Sequence, residues 1–199
     1  EWIDWRWSFI VAGIGTAGGL FLGWAALPRG RASGRRGQKT ADFRRVISNR
    51  PVIINIASYF GHLWEVFSNR VWIVTFLVFA EASQPGEFIV STTWLATLVA
   101  LGGVPVSMIN GELAVRYGRE IVIRTAMIVS ICVGLAVAFT TTGPLWLIAL
   151  LALAYGMSGY ADTGTINTAT VAAAEPDVRG ATMALHACVG FTGGILGSL

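Results

Sequence analysis

"SFIVAGIGTAGGLFLGWAAL", residues 8–27, decides the fold, because it contains twenty residues and no charge. A bilayer core about 30 Å thick requires roughly 20 apolar residues of helix, so this stretch has the length of one membrane crossing. The rest of the chain has the same character: 54% of its 199 residues are hydrophobic and only 13% are charged, whereas roughly 25% are charged in an ordinary soluble domain. The sequence therefore predicts an all-α membrane protein.

Five further apolar stretches follow, which gives six predicted transmembrane segments. The second and fifth segments are longer than one crossing requires, which implies a tilt, a break, or helical turns beyond the lipid. The sixth is cut off by the end of the sequence, and we expect the chain to be an internal fragment of a longer protein. The five stretches lie within Pro51–Ala80, Ile89–Asn110, Ile121–Thr141, Leu145 to the Thr170 region, and Ala181–Leu199.

Glycines spaced four residues apart form bare stripes on the first and last segments. Since glycine lets two helix backbones approach closely, we expect both stripes to contact other helices rather than lipid. The stripes consist of Gly15, Gly19 and Gly23 on the first segment and of Gly190 and Gly194 on the last.

The basic residues are concentrated on one side of the predicted segments. Twelve of the 14 Lys and Arg residues lie in the connections between segments one and two, three and four, and five and six. The positive-inside rule makes residues 28–50 and 111–120 cytoplasmic and places residues 81–88 on the other side. This surplus lies beside membrane segments and lacks an aromatic stacking platform, so anionic membrane lipids explain it better than a nucleic acid. Within residues 28–50, Phe43, Val46 and Ile47 share a face of a short helix that we expect to lie along the membrane surface.

Ionisable residues interrupt the second segment at "GHLWEVFSNRVW", residues 61–72. His62, Glu65 and Asn69 share one helix face, and Glu65 lies roughly 21 Å along the helix from Pro51. An unpaired carboxylate near the membrane centre costs at least about 2.5 kcal/mol, so Glu65 must face the bundle interior, water or a partner, or be protonated. Such residues mark proton relays or substrate paths; the alternative is a structural hydrogen-bonded cluster. Arg70 fits outward snorkelling better than substrate binding.

Two more segments carry polar candidates. In the fifth, Ser158, Asp162 and Thr165 lie on one helix face, and Asp162 falls in the cytoplasmic half, where solvation at the interface is an equal alternative to a functional role. In the last, His186 is a further titratable group. A lone histidine in a helix bundle is more often a satisfied packing residue than a proton-binding one.

Motifs typical of enzymes are absent from the sequence. It contains no Cys or His pair with metal-binding spacing, no phosphate loop and no nucleophile elbow, so we predict no catalytic residue, no metal site and no cofactor. We interpret Cys132 and Cys188, both in apolar stretches, as small buried hydrophobic residues without a disulfide. Two hypotheses remain: a secondary transporter, or a polytopic membrane enzyme or non-transporting scaffold.

The link between the third and fourth segments, "GELAVRYGRE" (residues 111–120), resembles the signature loop of the major facilitator superfamily. Val115 stands where the family has an aspartate, and Glu120 where it has a second basic residue. Family members have 12 helices in two halves joined by a long basic loop, with signature loops after helices 2 and 8. The matching positions are Gly111, Arg116, Gly118 and Arg119. Apart from the family, Gly111 and Gly118 are expected to permit a tight reversal at a helix end.

The resemblance implies part of such a helical bundle, comprising helices 6 to 11. Residues 1–27 would be the last helix of the first half, residues 28–50 the cytoplasmic central loop, and residues 51–199 an incomplete second half. It also implies a secondary active transporter that moves a small solute by alternating access, with protons coupled in symport or antiport. Its expected location is the plasma membrane, which is the inner membrane of a bacterium. The residues proposed for proton coupling or the substrate cavity are His62, Glu65, Asn69, Ser158, Asp162 and His186.

Cysteine labelling tests the predicted topology. In the full-length protein with Cys132 and Cys188 replaced by alanine, we expect Ser83→Cys to react with an impermeant maleimide in intact cells and Ser33→Cys to be protected, because the basic loop is retained in the cytoplasm. Labelling of Ser33→Cys from outside would reverse the topology and the helix numbering.

Overall fold

The structure is a computed structural model that describes residues 6–26, 42–86 and 88–199. These residues form eight α-helices and no β-strand, and six helical segments are long and apolar enough to cross a membrane. The six predicted segments are thereby confirmed. Much of the predicted loop at residues 28–50, and Glu87 of the loop at 81–88, lie outside the described residues. The helices are α1 (Arg6–Ala26), α2 (Phe43–Ser48), α3 (Arg50–Ala82), α4 (Thr92–Tyr117), α5 (Arg119–Phe139), α6 (Leu145–Gly159), α7 (Thr163–Ala173) and α8 (Arg179–Gly197), with a 3-10 turn at Pro176–Val178.

The chain divides into two compact units, residues 1–38 and residues 39–199. In the first unit, α1 is one uninterrupted apolar helix, as predicted from residues 8–27. A Cβ atom built on Gly15 or Gly19 has no neighbour within 4 Å among the described residues. The helix contact expected for this glycine stripe therefore stays a prediction.

The second predicted segment is a single helix of 33 residues, α3. It begins where the Asn49 side chain accepts a hydrogen bond from the Val52 N–H at 3.4 Å, with Pro51 in the first turn. Its 33 residues rise about 50 Å, which exceeds the thickness of the bilayer core. The segment is therefore long because the helix is tilted or continues beyond the lipid, and not because it is broken.

The fifth predicted segment is broken. Its first part, α6, ends at Gly159, and its second part, α7, begins at Thr163. Between them, the Tyr160 and Ala161 N–H groups donate to carbonyls three residues earlier, at 3.3 and 3.1 Å. This tightening is typical of a helix end, and it leaves the residues from 160 to 162 outside both helices. Asp162, one of the predicted site residues, lies in this break.

Four glycines on α8 allow it to pack closely against α3. A Cβ atom on any of them would overlap α3, which confirms the expectation for Gly190 and Gly194 and adds two more positions to the stripe. The overlaps are Gly190 with the Tyr59 ring, Gly194 with the Phe67 ring, and Gly193 and Gly197 with the main-chain carbonyl groups of Phe60 and Trp64.

The link between α4 and α5 is one residue, Gly118, with φ of 93°. Residues with a side chain rarely adopt this left-handed backbone conformation, so the reversal requires glycine. The tight turn predicted at Gly118 is confirmed, but Gly111 lies inside α4, and the prediction that it takes part in the reversal is wrong. Arg116 pairs with Glu112 at 2.9 Å on the surface of α4, and Arg119 begins α5.

Helix α2 attaches to the bundle through Val46, which is buried in a cluster with Val52, Ile56, Val178 and Ala181. Phe43 and Ile47 remain exposed. The three residues predicted to share one apolar face are therefore divided between a contact with the protein and an outward surface. A position of α2 along the membrane surface stays a prediction.

Two polar contacts hold the α2 segment to the chain between α7 and α8. The Asn49 side-chain amide donates to the Ala173 carbonyl at 3.1 Å, and Arg45 forms an ion pair with Glu175. Since Asn49 also caps α3, one residue joins the ends of three helices.

Both cysteines are free, as predicted. Cys132 and Cys188 are nevertheless exposed on the surface of the described chain, so the prediction that they are buried is wrong. The apolar stretches that contain them are long enough to cross a membrane, and one side of each such helix faces outward.

Replacing Gly193 tests the close packing of α8 on α3. We expect Gly193→Ala to lower the free energy of unfolding by about 1–3 kcal/mol, because the methyl group would overlap the Phe60 carbonyl oxygen. Gly180→Ala in the same helix is the control, since nothing lies within 4 Å of its Cβ position. Thermal unfolding of the full-length protein in detergent measures both, and equal melting temperatures would contradict the packing role.

Candidate functional site

The break between α6 and α7 places Asp162 against α3. Asp162 precedes α7 at the N-cap position, yet its carboxylate makes no capping hydrogen bond to that helix. Its Oδ1 lies instead 2.8 Å from Nδ1 of His62, and the two side chains are only 5% and 2% exposed. The sequence left solvation of Asp162 as an equal alternative, and this burial excludes it within the described chain.

The second ring nitrogen of His62 contacts the first residue of α7. Nε2 lies 3.0 Å from the Thr163 hydroxyl, which is also 3.1 Å from the Tyr160 carbonyl. If that hydroxyl donates to the carbonyl, both ring nitrogens face acceptors and His62 is held as an imidazolium; if it donates to Nε2, His62 is held neutral. Rotation of one hydroxyl therefore adapts the site to either charge state of the ring.

Glu65 lies one turn further along α3 and contacts different helices. Its carboxylate accepts a hydrogen bond from Ser130 of α5, and the Ser130 hydroxyl lies 3.1 Å from that of Ser158 on α6. The Ser158 hydroxyl also lies 2.9 Å from the Tyr155 carbonyl, so its single proton can be donated either to that carbonyl or to Ser130, and only the second orientation completes a hydrogen-bonded chain to Glu65. A Cβ atom on Gly159 would lie 3.8 Å from Glu65 Oε1, so the missing side chain gives this carboxylate room beside α6.

From the sequence, Glu65 is the carboxyl predicted to lie on the same helix face as His62. In the structure, the carboxylate within hydrogen-bonding distance of His62 is that of Asp162. Glu65 interacts with both His62 and Asp162 over a longer electrostatic range. The pairing was missed because it depends on the break in the fifth segment, which no residue pattern located.

Asn69 and Arg70 lie at the edge of this region. Asn69 is half-buried, and its amide makes no hydrogen bond within the described ranges. Arg70 is exposed, in agreement with snorkelling, and its Nε lies 3.3 Å from the Tyr160 hydroxyl, while its guanidinium stands 5.9 Å from the Phe67 ring centroid. Arg70 therefore contacts Tyr160, the first residue of the break between α6 and α7.

His186 forms a second polar cluster, on α8. Its Nε2 lies 2.8 Å from Asn167 Oδ1, and its Nδ1 lies 3.3 Å from the Thr170 hydroxyl. The Tyr59 ring stacks on the imidazole with centroids 3.9 Å apart and planes inclined by 12°. His186 is 1% exposed, and both of its ring nitrogens face side-chain oxygens. Its partners were not predicted, although Tyr59 precedes His62 by three residues, the spacing that brings two side chains to one helix face.

These clusters occupy successive depths along α3. We refer to the end of the bundle where α3, α5 and α8 begin, at Arg50, Arg119 and Arg179, as the basic end. Tyr59, His62 and Glu65 lie about 14, 18 and 22 Å from Arg50 along the helix axis. His186 lies about 10 Å along α8 from Arg179, so the His186 cluster is nearer the basic end than the His62–Asp162 pair.

A cavity of about 450 Å³ adjoins the Glu65 cluster. It lies between α4, α5 and α6, and Ser158 belongs both to its wall and to the hydrogen-bonded chain that reaches Glu65. The other polar residues on its wall are Asn110, Tyr117 and Thr125. The cavity is thus mainly apolar with a few polar groups, which is typical of sites for small molecules.

The family model described as Major Facilitator Superfamily matches residues 1–198 of the chain. The match covers both compact units and all the clusters described above. No match was found among curated proteins or among solved structures.

A double-mutant cycle tests the buried pair. Asp162→Asn and His62→Gln should each destabilise the full-length protein, because each leaves the other buried group without its charged partner. The two effects should be less than additive, with a coupling of about 0.5–3 kcal/mol in thermal unfolding. Thr165→Val is the control: this hydroxyl is buried without a partner among the described residues, so its loss should leave stability unchanged or raise it. Additive effects would show that the pair contributes no mutual stabilisation.

Proposed function

The chain belongs to the major facilitator superfamily, and from this premise we propose that it moves a small solute by alternating access with a coupled proton. Family membership and six apolar helices make it an integral membrane transporter. The distribution of basic residues supports an orientation with the basic end in the cytoplasm, and we propose the plasma membrane as the location. In alternating access, a site near the membrane centre opens to one side at a time.

The His62–Asp162 pair carries this proposal. Ionisable side chains are expensive inside a membrane and, where they occur, commonly mark ion or proton pathways. Here an imidazole and a carboxylate lie 2.8 Å apart, both almost fully buried, at a break in a membrane-spanning helix. Breaks of this kind place ion and substrate sites in several families of secondary transporter.

The chemistry of the pair favours a proton over a metal cation. An imidazole changes its charge by binding one proton, and it does so in the physiological pH range when unperturbed. The Thr163 hydroxyl can turn between the Tyr160 carbonyl and His62 Nε2, so the site accepts either charge state without moving a helix. We propose that His62 and Asp162 exchange the coupled proton with Glu65, which lies within electrostatic range of both.

Protonation would act on the contacts between helices. The His62–Asp162 pair joins α3 to the break before α7, and the Glu65–Ser130 hydrogen bond joins α3 to α5. Neutralising a carboxylate weakens its interaction with a cation or a donor, so the relative free energy of two helix arrangements depends on the bound proton. We propose that this dependence drives the change between inward-open and outward-open states.

Ser158 offers a link between proton and solute. It lines the cavity of about 450 Å³ and stands two hydrogen bonds from Glu65. A cavity of this size accommodates a small molecule. We propose that the solute contacts this wall. Asn69 is a second candidate contact, since its amide makes no hydrogen bond to the residues that the structure describes.

Replacing Glu65 tests the proton-carrier role. Glu65→Gln preserves the shape and the acceptor for Ser130 but cannot titrate. We expect it to abolish solute accumulation driven by a pH gradient in proteoliposomes while sparing solute exchange at equal pH. The solute is first identified by screening radiolabelled sugars, amino acids and organic cations for uptake by the wild type.

Two further variants complete this test. Glu81→Gln is the matched control, since Glu81 accepts a hydrogen bond from the Phe88 N–H in a loop remote from the clusters, and glutamine can still accept it. His62→Ala removes one of the two groups that hold the coupled proton, so it should lower gradient-driven uptake and change its pH optimum between about pH 5.5 and 8.5, while sparing exchange at equal pH. Gradient-driven uptake by Glu65→Gln at the wild-type level would leave Glu65 as a structural group, and failure of the wild type to move any solute would favour the scaffold hypothesis.

A further inference from the structure

We propose that His186 is a second proton-binding site, placed in series with the His62–Asp162 pair and between that pair and the basic end. The inference rests on the proposed proton coupling and goes beyond it by assigning the route on one side of the membrane. The surroundings of His186 on α8 repeat those of His62 on α3.

The two histidines have the same arrangement of partners. At each, one ring nitrogen faces a side-chain oxygen at 2.8 Å, which is Asp162 Oδ1 for His62 and Asn167 Oδ1 for His186. The other nitrogen faces a threonine hydroxyl that also reaches a main-chain carbonyl. For His186 this is Thr170, 3.3 Å from Nδ1 and 3.0 Å from the Ile166 carbonyl.

This arrangement accepts both charge states of His186. When the Thr170 hydroxyl donates to Ile166, both ring nitrogens face acceptors and suit an imidazolium. When it donates to Nδ1, the neutral ring is satisfied as well. A histidine that only packs requires one satisfied state, whereas this site provides two through the rotation of one hydroxyl.

The Tyr59 ring stabilises an imidazolium at His186, as the Asp162 carboxylate stabilises one at His62. Its face lies 3.9 Å from the His186 ring, close enough for a cation–π interaction with an imidazolium. From α7, the groups that face His186 are the uncharged Asn167 and Thr170; from α3, they are Tyr59 and, beyond it, His62. The α2 segment and the 3-10 turn contact α8 as well, and there Arg45 is already paired with Glu175.

The position of Tyr59 also connects the two histidines. Its ring is nearly parallel to both imidazoles, with centroids 5.9 Å from His62 and 3.9 Å from His186. The ring fits there because Gly190 has no side chain, since a Cβ atom would overlap it. Tyr59 holds the two rings beside each other but carries no proton itself, so we propose water as the carrier. The His62 imidazolium gives one proton to a water molecule and His186 takes one proton from the same water chain, which leaves neutral His62 beside the Asp162 carboxylate, creates the His186 imidazolium and conserves total charge.

Histidine ¹⁵N NMR of the full-length protein measures this site directly and requires no solute. The His186 signals are identified by their loss in His186→Gln. We expect the imidazolium fraction to rise measurably as the pH is lowered from about 8.5 to 5. At about pH 6, Tyr59→Leu should lower the imidazolium fraction of His186 at least two-fold, and Tyr59→Phe, which keeps the aromatic face, should leave it unchanged. A ring that stays neutral throughout, or an equal effect of the two Tyr59 variants, would overturn the proposal.

Transport measurements test the position in series. With the radiolabelled solute that the wild type accumulates, His186→Gln should slow gradient-driven uptake by at least about 10-fold, because a positioned proton-transfer group contributes more than this factor. Exchange at equal pH should change less than about two-fold, since it requires no proton release. The control is Thr182→Val, a buried position one turn earlier on α8 whose hydroxyl donates only to its own helix.

The outcomes separate this inference from the proposed function. If Glu65→Gln abolishes gradient-driven uptake while His186→Gln behaves as the wild type, proton coupling stands and the series position is wrong. If His186→Gln lowers uptake and exchange equally, His186 is a packing residue and the inference is wrong. If neither variant affects gradient-driven uptake, both proposals fail.

Discussion

A buried ionisable group must find its partner inside the protein, and in this bundle that requirement is met between helices. His62 on α3 contacts Asp162 at the break in the fifth segment, and Glu65 contacts Ser130 on α5. In a continuous helix, the backbone groups of residues 160–162 would be hydrogen-bonded within the helix. Asp162 would then remain part of that helix instead of lying against His62. The break lets Tyr160 and Asp162 contact Arg70 and His62 of α3, so the local end of one helix determines how the buried imidazole of α3 is paired.

Close approach of the helices is the second condition. The glycines of α8 bring it against α3, and one of them, Gly190, leaves the space that the Tyr59 ring fills. The stacking of Tyr59 on His186 therefore depends on the absence of a methyl group on the facing helix. Packing and chemistry are thus linked at this position, since the residue that permits close contact also sets the surroundings of a titratable ring.

The fold was largely predictable because hydrophobic length and charge asymmetry are properties of whole segments. Six apolar stretches, the reversal at Gly118 and the stripe containing Gly190 and Gly194 follow from composition and local conformation. The site was predictable only in part. Some site residues are recognisable as polar residues in apolar surroundings, namely His62, Glu65, Ser158, Asp162 and His186. Others resemble ordinary helix residues in the sequence, and only the fold shows their partners; these are Ser130, Thr163 and Asn167. The cysteines were misjudged because sequence position does not specify which side of a helix faces the bundle. Gly111 was misjudged because α4 continues through it to Tyr117.

The attachment of α2 has a mechanical consequence. The Asn49 side chain donates a hydrogen bond to the Ala173 carbonyl at the end of α7, and Arg45 forms an ion pair with Glu175 just beyond that helix. A displacement of α7 is therefore transmitted to α2 through these two contacts. Because α7 begins at the break that contains Asp162, the tether couples the position of α2 to the charge held some 16 Å away along α7.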